Sequence, residues 1–104
     1  MIQKDLPLII KNNIKKINPD VEITLFGSRA RGDTNKYSDW DFLILTNEDI
    51  TEKKKDVYRS KLYDIELEYD QVISSIIENK TKWQSMKNQV TPLYQRIKKD
   101  GIEL

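Results

Sequence analysis

Between Leu25 and Asp41 the chain reads LFGSRARGDTNKYSDWD, and the groups able to do chemistry are concentrated there. Asp39 and Asp41 are separated by one residue and lead into the apolar run Phe42-Leu43-Ile44-Leu45. On an extended strand, residues two apart share a face, so both carboxylates project together, about 6–7 Å apart. Two such anions repel unless a cation lies between them. Magnesium takes oxygen ligands of this kind and keeps water positions that phosphates can enter. Taken alone, an Asp-x-Asp pair is better explained as two solvated aspartates at the start of a strand.

Gly27-Ser28 adds a second function to the stretch. A glycine after a strand lets the backbone approach a ligand closely. The amides opening a short helix can face an anion while the serine hydroxyl bonds a phosphate oxygen. The plain alternative is a strand-to-helix turn with Ser28 as its cap. Arg29 and Arg31 are two apart on this turn and cannot face the same way. Arg31 is assigned the phosphate-facing role, and Arg29 is left to solvent or a partner.

Composition narrows the chemistry further. With no cysteine and no histidine, thiol nucleophiles, disulfides, Cys/His zinc sites and a histidine base are all excluded. Catalysis must run on carboxylates, a metal ion and positioning. Charged residues are 34% and apolar residues 38% of the 104 positions, interleaved along the chain, which fits a soluble globular protein. The net charge of +1 gives no field that argues for general nucleic-acid binding. Lys53 to Lys55 and Lys98-Lys99 read as solvated helix faces, since no aromatic residues alternate with them. The opening MIQKDLPLII lacks a long apolar region followed by a cleavage site, and no apolar run reaches spanning length. The expectation is one cytoplasmic domain covering residues 1–104, with a shallow site.

The elements that must hold the stretch can be read around it. Leu6, Ile9, Ile10, Ile14 and Ile17 recur at helical spacing, with Pro7 in the first turn and an end near Asn18-Pro19. Val21 to Phe26 is a strand, Ser28 to Arg31 one helical turn, and Gly32 its left-handed terminator. Asp33 to Ser38 reads as a loop and Asp39 to Thr46 as a strand buried on both sides. A helix from about Thr51 to about Glu68 follows, with Val57, Tyr58, Leu62, Ile65 and Tyr69 on its apolar face. Ile65, Leu67 and Tyr69 also alternate as a strand would. Val72 to Ile77 is a third strand by its β-branched content, and Thr81 to Lys87 a short helix with Trp83 inward. Thr91-Pro92 opens a last helix that Gly101 closes, and the tail Ile102 to Leu104 is too short to assign. Trp40 points away from its flanking aspartates, toward the core.

Each piece is common, but their joint spacing is not. Gly27-Ser28, Gly32 five residues after Gly27, and Ser38-Asp39-x-Asp41 with Asp39 eleven residues after Ser28 resemble the signature of the DNA polymerase beta-like nucleotidyltransferase superfamily. The wording GSRARG…SDWD is most similar to its minimal nucleotidyltransferase branch. The resemblance implies a small α/β fold, a mixed sheet of at least three strands with helices packed mainly on one face. It implies ATP as substrate and Mg2+ as cofactor. Gly27, Ser28 and Arg31 would then contact the triphosphate, and Asp39 and Asp41 would be the catalytic, metal-holding pair. It also implies transfer of AMP to a hydroxyl of a partner protein, as in antitoxins that modify a HEPN-type toxin.

The same resemblance implies a third carboxylate on the strand beside the Asp-x-Asp strand. There the sequence reads Val72-Ile73-Ser74-Ser75-Ile76-Ile77, so Ser74 or Ser75 stands in that place. Asp70 lies at the strand's start. Glu66 or Glu68 becomes the candidate if Ile65 to Tyr69 is the strand. The alternative function is therefore a binding module of the same fold that neutralises its partner by docking.

Overall fold

The computed structural model of the chain describes residues 5–32 and 39–104; the expected loop at 33–38, with Ser38 of the motif, lies outside them. The first helix, α1, spans Leu6–Ile17 and carries a proline in its first turn, where a missing amide hydrogen costs nothing. Asn18 is extended at φ −151°, ψ 108°, as expected of a residue that precedes proline, and there the helix stops. Strand β1 is Glu22–Phe26, α2 is Ser28–Arg31, and β2 is Trp40–Thr46.

Helix α3 runs Glu52–Tyr69. Thr51 accepts a hydrogen bond from the Lys54 amide at 3.1 Å, and Glu52 lies in the first turn, favourable near the positive end of the helix dipole. The ambiguous stretch Ile65 to Tyr69 is thus helical. Ile65 is buried with Tyr58 and Leu62, whereas Leu67 is 66% exposed, which a strand burying Ile65 and Leu67 together would not allow. Val57, expected on the buried face, points outward. Asp70 ends the helix in the left-handed region at φ 53°, its amide donating to Glu66 O.

Strand β3 is Ile73–Asn79, followed by two single-turn helices, α4 Lys80–Trp83 and α5 Met86–Gln89, and by α6 Pro92–Asp100. The single helix expected over Thr81 to Lys87 is therefore split, with Ser85 extended at φ −64°, ψ 153° between the two turns. The tail forms a short strand, β4 Ile102–Glu103, paired to β1. Gly101 closes α6 at φ −66°, not in the left-handed region. Its glycine is required by contact, since a Cβ there would lie 2.6 Å from Thr24 Cγ2 and 2.5 Å from Ile97 O.

The four strands make one mixed sheet in the order β3-β2-β1-β4. β2 is antiparallel to β1 and parallel to β3, and α3 supplies the crossover that a parallel pair needs. Alternation divides β2 between two cores. Trp40, Phe42 and Ile44 pack with Leu6, Ile10 and Ile14 of α1 and with Tyr58, Leu62 and Ile65 of α3. Leu43 and Leu45 pack on the opposite face with Ile97, Phe26, Ile76 and Trp83. The larger core and both long helices lie on one face, in agreement with the expected arrangement.

Among the described residues, the Tyr58 hydroxyl is a buried side-chain group without a hydrogen-bond partner. An unsatisfied buried hydroxyl costs about 1–3 kcal/mol in lost hydration. Tyr58→Phe is expected to raise the urea midpoint by an amount worth about 1 kcal/mol, read by equilibrium denaturation.

Candidate functional site

Pairing brings the two halves of the sequence motif to one end of the sheet. Phe26, the last residue of β1, lies opposite Asp41 of β2. The chain leaves β1 through Gly27 at φ 79°, ψ −160°, a conformation essentially reserved for glycine. A Cβ at Gly27 would lie 2.3 Å from Asp41 Oδ2 and 3.2 Å from its Cγ. The turn and the aspartate strand are therefore in contact, and only a residue without a side chain permits it.

Ser28 opens α2, whose first backbone bonds run from the Ala30 and Arg31 amides to Gly27 O at 3.1 and 3.2 Å. Gly32 ends the helix at φ 80°, ψ 5°, in the expected left-handed conformation. Asp39 is exposed, one residue before β2, and Asp41 is half-buried within it. Burial pushes the Asp41 carboxyl above the ordinary aspartate range, the Asp39 charge pushes it further, and Arg31 opposes both. Burial, one anion and one cation thus act on the Asp41 carboxyl.

Arg31 stands at the end of α2 with Nη1 4.0 Å from Asp100 Oδ2. With Gln95, Arg96, Lys99 and Asp100 it lines a cleft of about 470 Å³. A larger cleft, lined by Ile17, Glu48, Lys54 and Tyr58 among others, sits by the C-terminal end of β2, away from the aspartates.

Arg29, expected to face solvent or a partner, instead has its guanidinium carbon 4.2 Å from the centroid of the Trp40 ring. Trp40 is buried between sheet and helices, as expected. It stacks on Phe42 at 6.5 Å and 9°, and its Nε1 donates to Gln71 Oε1 at 3.0 Å. Arg29 follows Ser28 and Trp40 lies between the two aspartates, so this stack ties the turn to the strand. Cation–π pairs contribute about 0.5–2 kcal/mol. Arg29→Ala is expected to lower the melting temperature by a few degrees, about 1 kcal/mol in stability, and by more than Arg29→Lys does, as read by thermal melting.

Ser74, not Ser75, is the β3 residue paired with Asp41, so it shares the Asp41 face of the sheet. Glu66 Oε2 accepts from the Ile73 amide at 3.0 Å, which binds that carboxylate to the start of β3. Glu68 is exposed beside Tyr69, whose hydroxyl it holds above the usual range, and Asp70 serves as the turn out of α3. Among the described residues no group of three or more His, Cys, Asp or Glu is placed to hold a metal.

The class of the protein is that of a nucleotidyltransferase enzyme, by its family and a curated relative. The chain belongs to the family described as "Nucleotidyltransferase domain", whose model matches residues 9–101. It is 40% identical over 81 residues to the "Putative protein adenylyltransferase" of Methanocaldococcus jannaschii, covering 76% of this chain and 74% of that protein. A chain in a crystal structure of a mutant of the toxin–antitoxin MntA-HpeT is similar at TM-score 0.63 and 16% identity, over 100% of this chain and 72% of its own. A chain of a toxin–antitoxin crystallised with AMP-PNP is similar at TM-score 0.59 and 19% identity, over 89% of this chain and 70% of its own. Those two likenesses establish a common fold. No described helix is long and apolar enough to cross a membrane.

Proposed function

We propose that the chain binds ATP with Mg2+ at the meeting point of Gly27, Ser28, Arg31, Asp39 and Asp41, and transfers AMP to a hydroxyl of a partner protein. The observation that carries this reading is the contact distance at Gly27, which leaves the Asp41 carboxylate against the mouth of the turn. The donor chemistry fits a divalent cation: the Asp39 charge is felt at the Asp41 carboxyl, and the missing Cβ of Gly27 leaves that carboxyl room against the turn. Asp39 and Asp41 would hold that ion, which supplies charge neutralisation at the phosphates and at the reacting oxygens.

The residues of the chain have separable tasks. The Ser28 hydroxyl donates to a phosphate oxygen, and the Arg31 guanidinium offsets the charge of the terminal phosphates. The Arg29–Trp40 stack keeps the turn fixed relative to the aspartates, so the reacting atoms meet without reorganisation. In the transfer, the acceptor oxygen bonds to the α-phosphorus as the bond to the β-phosphate breaks. Pyrophosphate leaves, and the hydroxyl proton passes to solvent.

The name of the archaeal relative supports a protein acceptor, and the toxin–antitoxin origin of the fold neighbours supports an antitoxin role; a HEPN-type toxin as that acceptor, in the cytoplasm, follows from the resemblance of the motif. The test is incubation with α-labelled ATP, Mg2+ and a HEPN-type protein offered as the acceptor. Label on the partner, lost with Asp39→Asn plus Asp41→Asn, is expected. A partner neutralised equally well by that double variant, with no label transferred, would instead assign the protein to docking alone.

A further inference from the structure

Helix α3 carries apolar residues on two faces. Tyr58, Leu62 and Ile65 turn into the core, whereas Val57, Tyr63 and Leu67 are 51%, 59% and 66% exposed. At about 3.6 residues per turn, the line opposite the core runs through Lys53, Ser60 and Leu67, with Val57 on one flank and Tyr63 on the other. A helix that presents apolar groups all round is normally covered on both faces.

The charges of the same helix are divided along its length, and against its dipole. From Glu52 to Lys61 the cations Lys53, Lys54, Lys55, Arg59 and Lys61 outnumber Glu52 and Asp56, while from Leu62 to Tyr69 every charged residue is an anion: Asp64, Glu66 and Glu68. The dipole favours anions in the first turn and cations in the last, and the last turn holds no basic residue. Lys55 and Arg59 are taken up within the helix by Glu52 and Asp56, whereas Lys53 lies on the outward line. Local helix stability does not account for this distribution. A second α3 running antiparallel does, because it sets each basic half against an acidic half and opposes the two dipoles. A twofold axis near Ser60 closes such a pair, since the patch then meets itself. Lys53 leans to the Val57 flank and Glu68 lies on it, and in an antiparallel pair equal flanks face each other, so Lys53 of one copy meets Glu68 of the other.

We infer that the outer face of α3 is a self-association surface on which two copies of this chain pair antiparallel. Tyr63 and Leu67 of one copy pack over the small Ser60 and over Val57 of the other, and two Lys53–Glu68 pairs, one at each end, set the direction. The contact is one helix wide, so the dimer is weak and sensitive to salt. Helix α3 covers the sheet face of Trp40, Phe42 and Ile44, and strand alternation turns Asp41 to the opposite face. The pair therefore carries its two Asp41 faces outward, where neither is blocked by the other copy.

The test is sedimentation equilibrium of the full chain over a range of concentrations, at low and at high salt, for the wild type, Leu67→Asp, Lys53→Glu, Glu68→Lys and the combined Lys53→Glu plus Glu68→Lys. A monomer–dimer equilibrium that salt weakens is expected for the wild type. Each single reversal should raise the dissociation constant about tenfold, because it turns two attractive contacts into repulsive ones, and Leu67→Asp should raise it at least as far. The combined reversal should restore the wild-type value. Both single reversals bring the helix charges into line with its dipole, so the dilute variants should melt no earlier than the wild type, which separates lost association from lost folding. A monomer at every concentration, assembly beyond a dimer, or a dimer indifferent to Leu67→Asp would overturn the inference. A combined reversal no better than the single ones would overturn the antiparallel pairing.

Discussion

Asp41→Asn is expected to lower AMP transfer by about 10³-fold, the equivalent of several kcal/mol of lost charge stabilisation, while making the ligand-free protein more resistant to heat. The two effects share one cause. Burial and the neighbouring Asp39 charge hold the Asp41 carboxyl above the ordinary aspartate range in the folded chain. A carboxyl whose pKa is raised by folding binds its proton more tightly in the native state, so its contribution to stability falls as pH rises through the interval above about 3.9. At neutral pH the ligand-free protein carries that whole unfavourable contribution, and asparagine removes it. Below about pH 4 the variant and the wild type should converge. Magnesium with AMP-PNP should reverse the ranking, because a ligand at 100 times its Kd adds about 2.7 kcal/mol to the form that binds it. Thermal melting with and without these ligands checks the prediction. Transfer by the wild type should also fail as pH falls into the same interval, where protons compete with the metal at Asp41.

Gly27→Ala is expected to damage both stability and binding, and so to differ in kind from Asp41→Asn. Its φ and ψ fall in a region that costs a residue with a Cβ about 1–3 kcal/mol. The new methyl would also sit 2.3 Å from Asp41 Oδ2, a separation that forces the carboxylate out of its place. Gly32→Ala is the control. Its φ is likewise positive at 80°, but no atom of the described residues lies within 4 Å of the added Cβ, so among them only the conformational cost of about 1–2 kcal/mol applies. Both variants should therefore melt earlier than the wild type. Only Gly27→Ala should lose nucleotide affinity, by about 100-fold, the two decades that about 2.7 kcal/mol of misplaced charge would remove. Equal affinities in the two variants would show that the approach of the turn to Asp41 has no bearing on the ligand.

Much of this site was legible before any coordinates, because its signals are local. Glycine at a positive φ, serine after it, and two aspartates one pleat repeat apart are choices that backbone sterics and charge impose at fixed spacing. Both the left-handed Gly32 and the inward Trp40 followed from such rules. What escaped was set by pairing between distant segments. The resemblance implied a carboxylate where the sequence has Ser74 or Ser75, and register alone placed Ser74 beside Asp41. Arg29 could be read only as the arginine not facing the phosphates, since its contact with Trp40 spans a turn and a strand. The β4 strand had no signature of its own, because two residues acquire strand geometry only by pairing with Thr24 and Leu25. Helix α3 was recoverable from its length and from Thr51, whereas its outward Val57 was not, since a mixed helical face does not say how far the neighbouring sheet extends.

In the proposed function, the Gly27-Ser28 turn and the Asp39/Asp41 pair form one nucleotide–metal site. Calorimetric titration of AMP-PNP into the wild type and into Asp39→Asn plus Asp41→Asn, each with and without Mg2+, tests it most directly. Mg2+ is expected to strengthen binding to the wild type by at least about 100-fold, roughly 2.7 kcal/mol, and to have no effect on the folded double variant. Equal affinity in all four titrations, or the same gain with Mg2+ in both proteins, would contradict it.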